Sequence, residues 1–365
     1  MNPPRPRLIL SALKGGAGKT SLSLGLAATW RSNGLRVVPF KKGPDYIDAN
    51  WLTRAAGTPC SNLDPFLVGW PVLTRLFWEA TGGDMVALIE GNRGLFDGLD
   101  VAGSTSTAEL AKRLASPVVL VLDCTKATRT VAALVLGCLT FDPKVNLAGV
   151  VLNQIAGARH ERIIRQTLEQ SVGVRVFGAL PRFERPLPER HLGLLPPQEH
   201  PAVEESIDWL AGLAQKHLDT DSLLELARSA PEMDEPARVD APVPEPGPAV
   251  RLGVVSDAAF QFYYPENIEA LKAAGAEVVL VSALTGPALP AIDGLYIGGG
   301  FPETQAEPLT ANESFRQSVR EAVEAGLPVY AECGGLMYLG QSIEMGGASF
   351  EMAGALPFDI EVHKR

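Results

Sequence analysis

Six short runs in the first half of the chain are apolar throughout rather than alternating, at 8–13, 35–40, 85–90, 117–122, 147–152 and 174–180. Runs of this length, rich in Val, Ile and Leu, suit strands buried on both faces of a parallel sheet. Longer stretches of helical period lie between them and predict crossover helices, giving an α/β pattern. Residues 229–250 break it with repeated prolines and acidic residues that carry no hydrophobic period, the composition of a semi-extended linker. Alternation resumes at 251–256, 277–281, 294–297 and 327–331. The predicted organisation is therefore two α/β domains, 1–228 and 251–365, joined by the 229–250 linker.

Composition narrows the function class. Hydrophobic residues make up 46% of the 365 and charged residues 20%, as in a soluble globular protein. A net charge of −10 disfavours wrapping of a polyanion, so no nucleic-acid partner is expected. Cys60, Cys124, Cys138 and Cys333 fit neither a disulfide framework nor zinc spacing, which suits a reducing cytoplasm. The basic, proline-rich start breaks off at Lys14 and a glycine run, so neither a signal peptide nor a membrane span is expected.

Two motifs carry chemistry. Lys14-Gly15-Gly16-Ala17-Gly18-Lys19-Thr20 follows a predicted strand and opens a helix over 21–30. Small residues let backbone N–H groups close around phosphate, Lys19 meets phosphoryl charge, and the Thr20 hydroxyl can ligate magnesium. Two segments should meet this loop at the carboxyl edge of the sheet. Glu90 ends the 85–90 run, and Lys41, Lys42, Asp45, Tyr46 and Asp48 follow the second run. The second motif, 328–335, reads as strand, sharp turn and helix with Cys333 at the turn, where a thiol projects from the sheet edge as a nucleophile. Gly299 and Gly300 end another strand and, with Gly334, are candidate oxyanion donors.

These residues make the chain resemble the cobyrinate a,c-diamide synthase family. The resemblance spans nearly the whole chain and is carried by F-K-K-G-P-D-Y-I-D at 40–48, N-L-D at 62–64, E-G-N-R-G-L-F-D-G at 90–98, S-T-A-E-L-A at 106–111 and A-E-C-G-G at 331–335. It implies a P-loop ATP domain similar to dethiobiotin synthetase, followed by a flavodoxin-like class I glutamine amidotransferase domain. The implied activity is ATP- and glutamine-dependent amidation of the a and c carboxylates of a corrinoid in cobalamin biosynthesis, with ATP and magnesium as cofactors. By resemblance, Thr20, Asp45 and Glu90 ligate magnesium, and Asn153 in V-V-L-N-Q reads adenine. Asp48 and Asp97 contact substrate or nucleotide, with Lys42, Asp45 and Tyr46 beside them. Lys19 and Lys41 stabilise the transferred phosphoryl group; Lys42, Arg93 and Arg182 are further cations for a polycarboxylate.

Two features depart from the family. Lys14 resembles the lysine that ParA-like partitioning ATPases use across a dimer, which leaves a homodimer, or a switch protein of that class, as an alternative. Another corrinoid or tetrapyrrole amide synthase, acting on hydrogenobyrinate, nickel-sirohydrochlorin or a cobyric acid precursor, is the nearest enzyme rival. The family's late histidine segment is not found before Arg365, and His363 precedes where it would fall, so the second domain is expected to be incomplete.

Overall fold

The computed structural model describes residues 4–183, 189–190, 193–238 and 249–363. The chain divides into two compact units, Met1–Asp240 and Ala241–Arg365.

The first unit is built on seven parallel strands: β1 (Arg7–Ala12), β2 (Val37–Lys42), β3 (Ser61–Leu63), β4 (Val86–Glu90), β5 (Val118–Asp123), β6 (Leu147–Ile155) and β7 (Arg175–Pro181). Their order is β3-β2-β4-β1-β5-β6-β7. All six residues of β1 are buried, which explains why this strand reads as an unbroken apolar run. Around the sheet run α1 (Lys19–Ser32), α2 (Tyr46–Ala56), α3 (Trp70–Ala80), α4 (Thr107–Arg113), α5 (Arg129–Phe141), α6 (Ala158–Ser171), α7 (Val203–His217) and α8 (Thr220–Arg228). A two-residue antiparallel pair, β8 (Glu189–Arg190) with β9 (Gly193–Leu194), follows β7. Since β1 is flanked by β4 and β5, the carboxyl ends of these three strands border one crevice, where such sheets bind ligands.

The expected linker is shorter than its composition suggests. Arg7 is buried, and its guanidinium donates to the carbonyls of Leu114 (2.5 Å), Arg5 (2.9 Å), Ala115 (3.3 Å) and Pro231 (2.7 Å). A buried cation without a carboxylate needs such acceptors, so it ties residue 231 to the first unit. Arg75 pairs with Glu235 at 3.0 Å, and Met233 packs on the core. Residues 231–236 thus belong to the first unit, while 239–248 fall outside the described residues.

The second unit has a parallel sheet of β10 (Val250–Val255), β11 (Ala276–Val281), β12 (Gly294–Ile297) and β13 (Val329–Ala331), ordered β11-β10-β12-β13. Helices α9 (Pro265–Ala273), α10 (Ala306–Ala311), α11 (Glu313–Glu324) and α12 (Gly334–Leu339) connect and flank it. Phe260, Phe315 and Tyr338 fill its core. A small sheet of β14 (Ser342–Met345), β15 (Ala348–Glu351) and β16 (Asp359–Val362), absent from the sequence reading, follows α12. Among the described residues no helix is long and apolar enough to cross a membrane.

Candidate active site

Helix α1 starts directly after the phosphate loop, with no side-chain cap and no acidic residue in its first turn. Its leading N–H groups therefore remain available to an anion. Gly18 has φ 90°, so its conformation favours glycine, and a Cβ there would press on Asn153 Nδ2 at 2.3 Å. Lys19 Nζ donates to the carbonyls of Lys14 (3.2 Å) and Arg93 (2.8 Å), weak acceptors that phosphate oxygens can replace. Burial lowers its pKa from the ordinary lysine value. A cavity of about 450 Å³ opens here, lined by Gly15, Gly16, Lys19, Thr20, Arg93 and Asn153 among others.

An ionic cluster forms the wall of this cavity. Parallel pairing sets Lys41 of β2 opposite Glu90 of β4, so both side chains project from the same face. Lys41 Nζ lies 2.6 Å from Glu90 Oε1 and 2.5 Å from Asp48 Oδ2. The Thr20 hydroxyl donates to Glu90 Oε1 at 2.7 Å and reaches Asp48 Oδ2 at 3.5 Å. Glu90 is fully buried, and its Oε2 has no hydrogen-bond partner among the described residues. An unpartnered carboxylate oxygen at zero exposure leaves a donor site for a ligand, since burial without one is costly. Burial opposes the Lys41 charge, but Glu90 and then Asp48 outweigh it and hold its pKa above the ordinary range.

The geometry redistributes several of the expected roles. Asp45 is the N-cap of α2, its Oδ1 accepting from Asp48 N at 2.8 Å, so Asp48 is the loop acid set against Thr20. Burial, then the Asp48 charge, raise the Asp45 carboxyl pKa. Lys42 follows Lys41 in the strand and projects to the opposite face, where Asp64 offsets the burial that lowers its pKa. Asp97 Oδ2 accepts from Gly94 N at 2.8 Å and closes its own loop. Among the described residues, neither these three nor Tyr46, which opens α2, lines the phosphate cavity. Lys14 pairs with Asp123 of the same chain at 3.3 Å, a partner that sequence reasoning missed. Asn153 lines the cavity, but its amide holds the loop, Nδ2 donating to Ala17 O (2.9 Å) and Oδ1 accepting from Gln154 N (2.9 Å). Arg93 also lines it, with φ 48°, and Arg182 is exposed beyond β7.

In the second unit Cys333 is exposed between β13 and α12, at φ 48° and ψ −114°. Few side-chain-bearing residues adopt that backbone, and where they do the strain aims a side chain outward. A Cβ on Gly334 would stand 3.0 Å from Gly300 O, and one on Gly299 would stand 3.4 Å from Cys333 Cβ. The glycine loop and the elbow thus lie against each other. Gly334 also opens α12, where first-turn N–H groups lack intrahelical acceptors. Tyr296, unrecognised in the sequence, donates from its hydroxyl to Glu332 Oε1 at 3.0 Å and steadies the residue before the cysteine. His363, the one histidine of this unit, is exposed with Nδ1 3.6 Å from Glu361 Oε1.

Comparison with known proteins agrees with both halves. Residues 8–194 match the CobQ/CobB/MinD/ParA nucleotide binding domain, and residues 251–365 match the CobB/CobQ-like glutamine amidotransferase domain. The cobyrinate a,c-diamide synthase of Magnetococcus marinus is 45% identical over 366 residues, covering 99% of this chain and 78% of that protein. That of Archaeoglobus fulgidus is 42% identical, with the same coverage of 99% and 78%. That of Listeria monocytogenes is 40% identical, covering 95% of this chain and 77% of its own. With such identity along almost its whole length, and with the two domain matches in this order, the chain belongs to the cobyrinate a,c-diamide synthase family.

Proposed function

We propose that this chain amidates the a and c carboxylates of cobyrinic acid in two coupled reactions. A carboxylate does not accept ammonia at neutral pH because oxide is too poor a leaving group. In the first unit a substrate carboxylate oxygen attacks the γ-phosphorus of ATP and ADP departs, leaving an acyl phosphate. Ammonia then attacks the acyl carbon, phosphate leaves with the C–O electron pair, and the amide forms after loss of a proton. Lys19 and the first-turn N–H groups of α1 stabilise the phosphoryl oxygens as charge develops. Lys41 bonds both Glu90 and Asp48 and holds the two carboxylates in place beside the phosphate cavity.

Thr20, Glu90 and Asp48 are the residues that would hold magnesium. Their oxygens suit a hard dication, and the unpartnered Glu90 Oε2 is the observation that supports a ligand there. No cluster of three His, Cys, Asp or Glu suited to a metal occurs among the described residues, so phosphate and water would complete the shell. Magnesium supplies charge neutralisation on the phosphates when bound.

In the second unit Cys333 attacks the glutamine amide carbon and ammonia is released. Water hydrolyses the resulting thioester to glutamate. Gly299, Gly300 and Gly334 N–H groups would receive the oxyanion. The observation that carries the whole reading is the Thr20–Glu90–Lys41–Asp48 cluster beside Lys19, an arrangement that supports phosphoryl transfer there. Mass spectrometry of cobyrinic acid incubated with the protein, ATP, magnesium and ammonia tests it. Two successive carboxylate-to-amide mass changes are expected, and no ATP-dependent change would overturn the reading. The same assay on hydrogenobyrinic acid tests whether the central metal matters.

A further inference from the structure

A second cavity, of about 660 Å³, shares the phosphate loop as a wall. Leu13, Lys14 and Ala17 face it, whereas Gly15, Gly16, Gly18 and Lys19 line the phosphate cavity. The rest of its lining is almost wholly apolar and includes Phe96, Val121, Ala133, Leu134, Gly137 and Phe141. Phe96 and Phe141 meet edge to face, with ring centroids 4.9 Å apart. Phe141 is 76% exposed and Leu134 49% exposed, an unusual cost for side chains of this size. Charge is confined to the Lys14–Asp123 pair, in which Lys14 is 67% exposed.

Gly137 is informative. It lies within α5, where glycine costs roughly 0.5–1 kcal/mol relative to alanine. No atom lies within 4 Å of where its Cβ would be, and its φ is ordinary, so neither packing nor backbone conformation requires it. What the missing side chain provides is open space on the cleft wall. Phe96 belongs to the 90–98 motif, in which Leu95 N donates to Ala12 O at 2.8 Å, so this wall is fixed to the strand that carries the phosphate loop.

We propose that this cleft seats one apolar face of the corrin macrocycle, with Lys14 released from Asp123 to meet a peripheral carboxylate. The inference rests on the corrinoid-amidation reading and deepens it. A corrin is a broad, mostly apolar ring edged with carboxylates, and it needs an apolar bed, a cation at the rim, and one acid within reach of the phosphoryl site. The cleft supplies the first two, and its shared wall supplies the third. Carboxylates held elsewhere on the rim would leave only selected side chains facing Lys19, which makes the cleft a determinant of which acids are amidated.

The test uses the full chain with ammonia as nitrogen donor, so glutamine hydrolysis does not enter. Gly137→Leu fills the cleft with a good helix former, and Leu134→Gln makes its rim polar without adding bulk. KM for cobyrinic acid and for ATP are measured separately, together with equilibrium dialysis of cobyrinic acid and sedimentation velocity. Gly137→Leu is expected to raise both the KM and the dissociation constant for cobyrinic acid about ten-fold or more. Leu134→Gln should do so more weakly, with KM for ATP and the sedimentation coefficient unchanged in both. Unchanged corrinoid binding in a folded Gly137→Leu protein overturns the proposal, and a fall in sedimentation coefficient with intact corrinoid binding assigns the face to a second copy instead. If the unsubstituted chain turns over no corrinoid at all, the amidation reading itself fails, and that result is distinct from the others.

Discussion

The two units hold their reactive groups in opposite ways. In the first, the charges of the proposed transfer site are buried and mutually bonded: Lys41 contacts two carboxylates, and the Thr20 hydroxyl reaches both of them. In the second, the thiol proposed as nucleophile is exposed on a strained backbone, and His363 sits on the surface beside Glu361. Phosphoryl transfer depends on electrostatic preorganisation, so its site can be assembled before the substrate arrives. Thiol attack depends on a base and an access route, so its site keeps the nucleophile outside the core.

The largest test of that contrast is Lys19→Ala. It should lower ATP-dependent amidation by about 10²–10³-fold, the scale expected for removing a charge-stabilising donor, while leaving glutamine hydrolysis unchanged. Amidation at near the original rate would show that the phosphate loop is not the transfer site. Next, Cys333→Ala should abolish synthesis from glutamine yet spare synthesis from high ammonia. Loss of both activities in a folded protein would place the cysteine in the wrong reaction. Because alanine at φ 48° is as strained as cysteine, Cys333→Ala should leave the unfolding free energy nearly unchanged, whereas Cys333→Gly should add about 1 kcal/mol in denaturant titration.

Glu90→Gln breaks one side of a buried ion pair and should cost about 3 kcal/mol in chemical unfolding while shifting the magnesium requirement upward. An unchanged magnesium titration would remove Glu90 from the metal's surroundings. The smallest effect is expected at Asp45→Asn. Burial and Asp48 raise the Asp45 pKa, so folding favours its protonated form. Ionised Asp45 therefore costs stability at neutral pH, and the cost fades as pH falls through its raised pKa. Asparagine keeps the helix cap without the charge. The variant should melt slightly higher than the parent at neutral pH, by less than about 1 kcal/mol, with the difference vanishing in acid. An equal difference at every pH would assign it to packing rather than charge.

The buried strands were legible because residues hidden on both faces leave unbroken apolar runs, and β12 begins and ends where its run does. The phosphate loop and the elbow were legible because their constraints fall within eight consecutive residues. Ser61–Leu63 escaped notice because three residues cannot display a period. The sheet of β14, β15 and β16 escaped because its strands are short and partly exposed, though Gly346-Gly347, at φ 61° and 83°, carried a hairpin signal. That Asp45 caps the helix while Asp48 faces Thr20 was not legible, because spacing alone does not say which acid caps a helix. An acid directly before a helix with a polar residue three positions later was the available clue. The strand period likewise allows only one of two adjacent lysines to face the cluster. Pairings such as Lys14 with Asp123, or Arg7 with Pro231, join residues more than a hundred positions apart and leave no local trace.

The Lys41 cluster also bears on the order of events. Lys41 already bonds Glu90 Oε1 and Asp48 Oδ2, so the two carboxylates that would take a dication carry a resident cation at rest. Carboxylates that already hold a counter-ion exert a weaker pull on a free dication. The Lys41 ammonium stays in place as that counter-ion, so metal binding is expected to tighten once phosphate adds negative charge. Isothermal titration should therefore register little heat from magnesium alone and a clear response when nucleotide is already present.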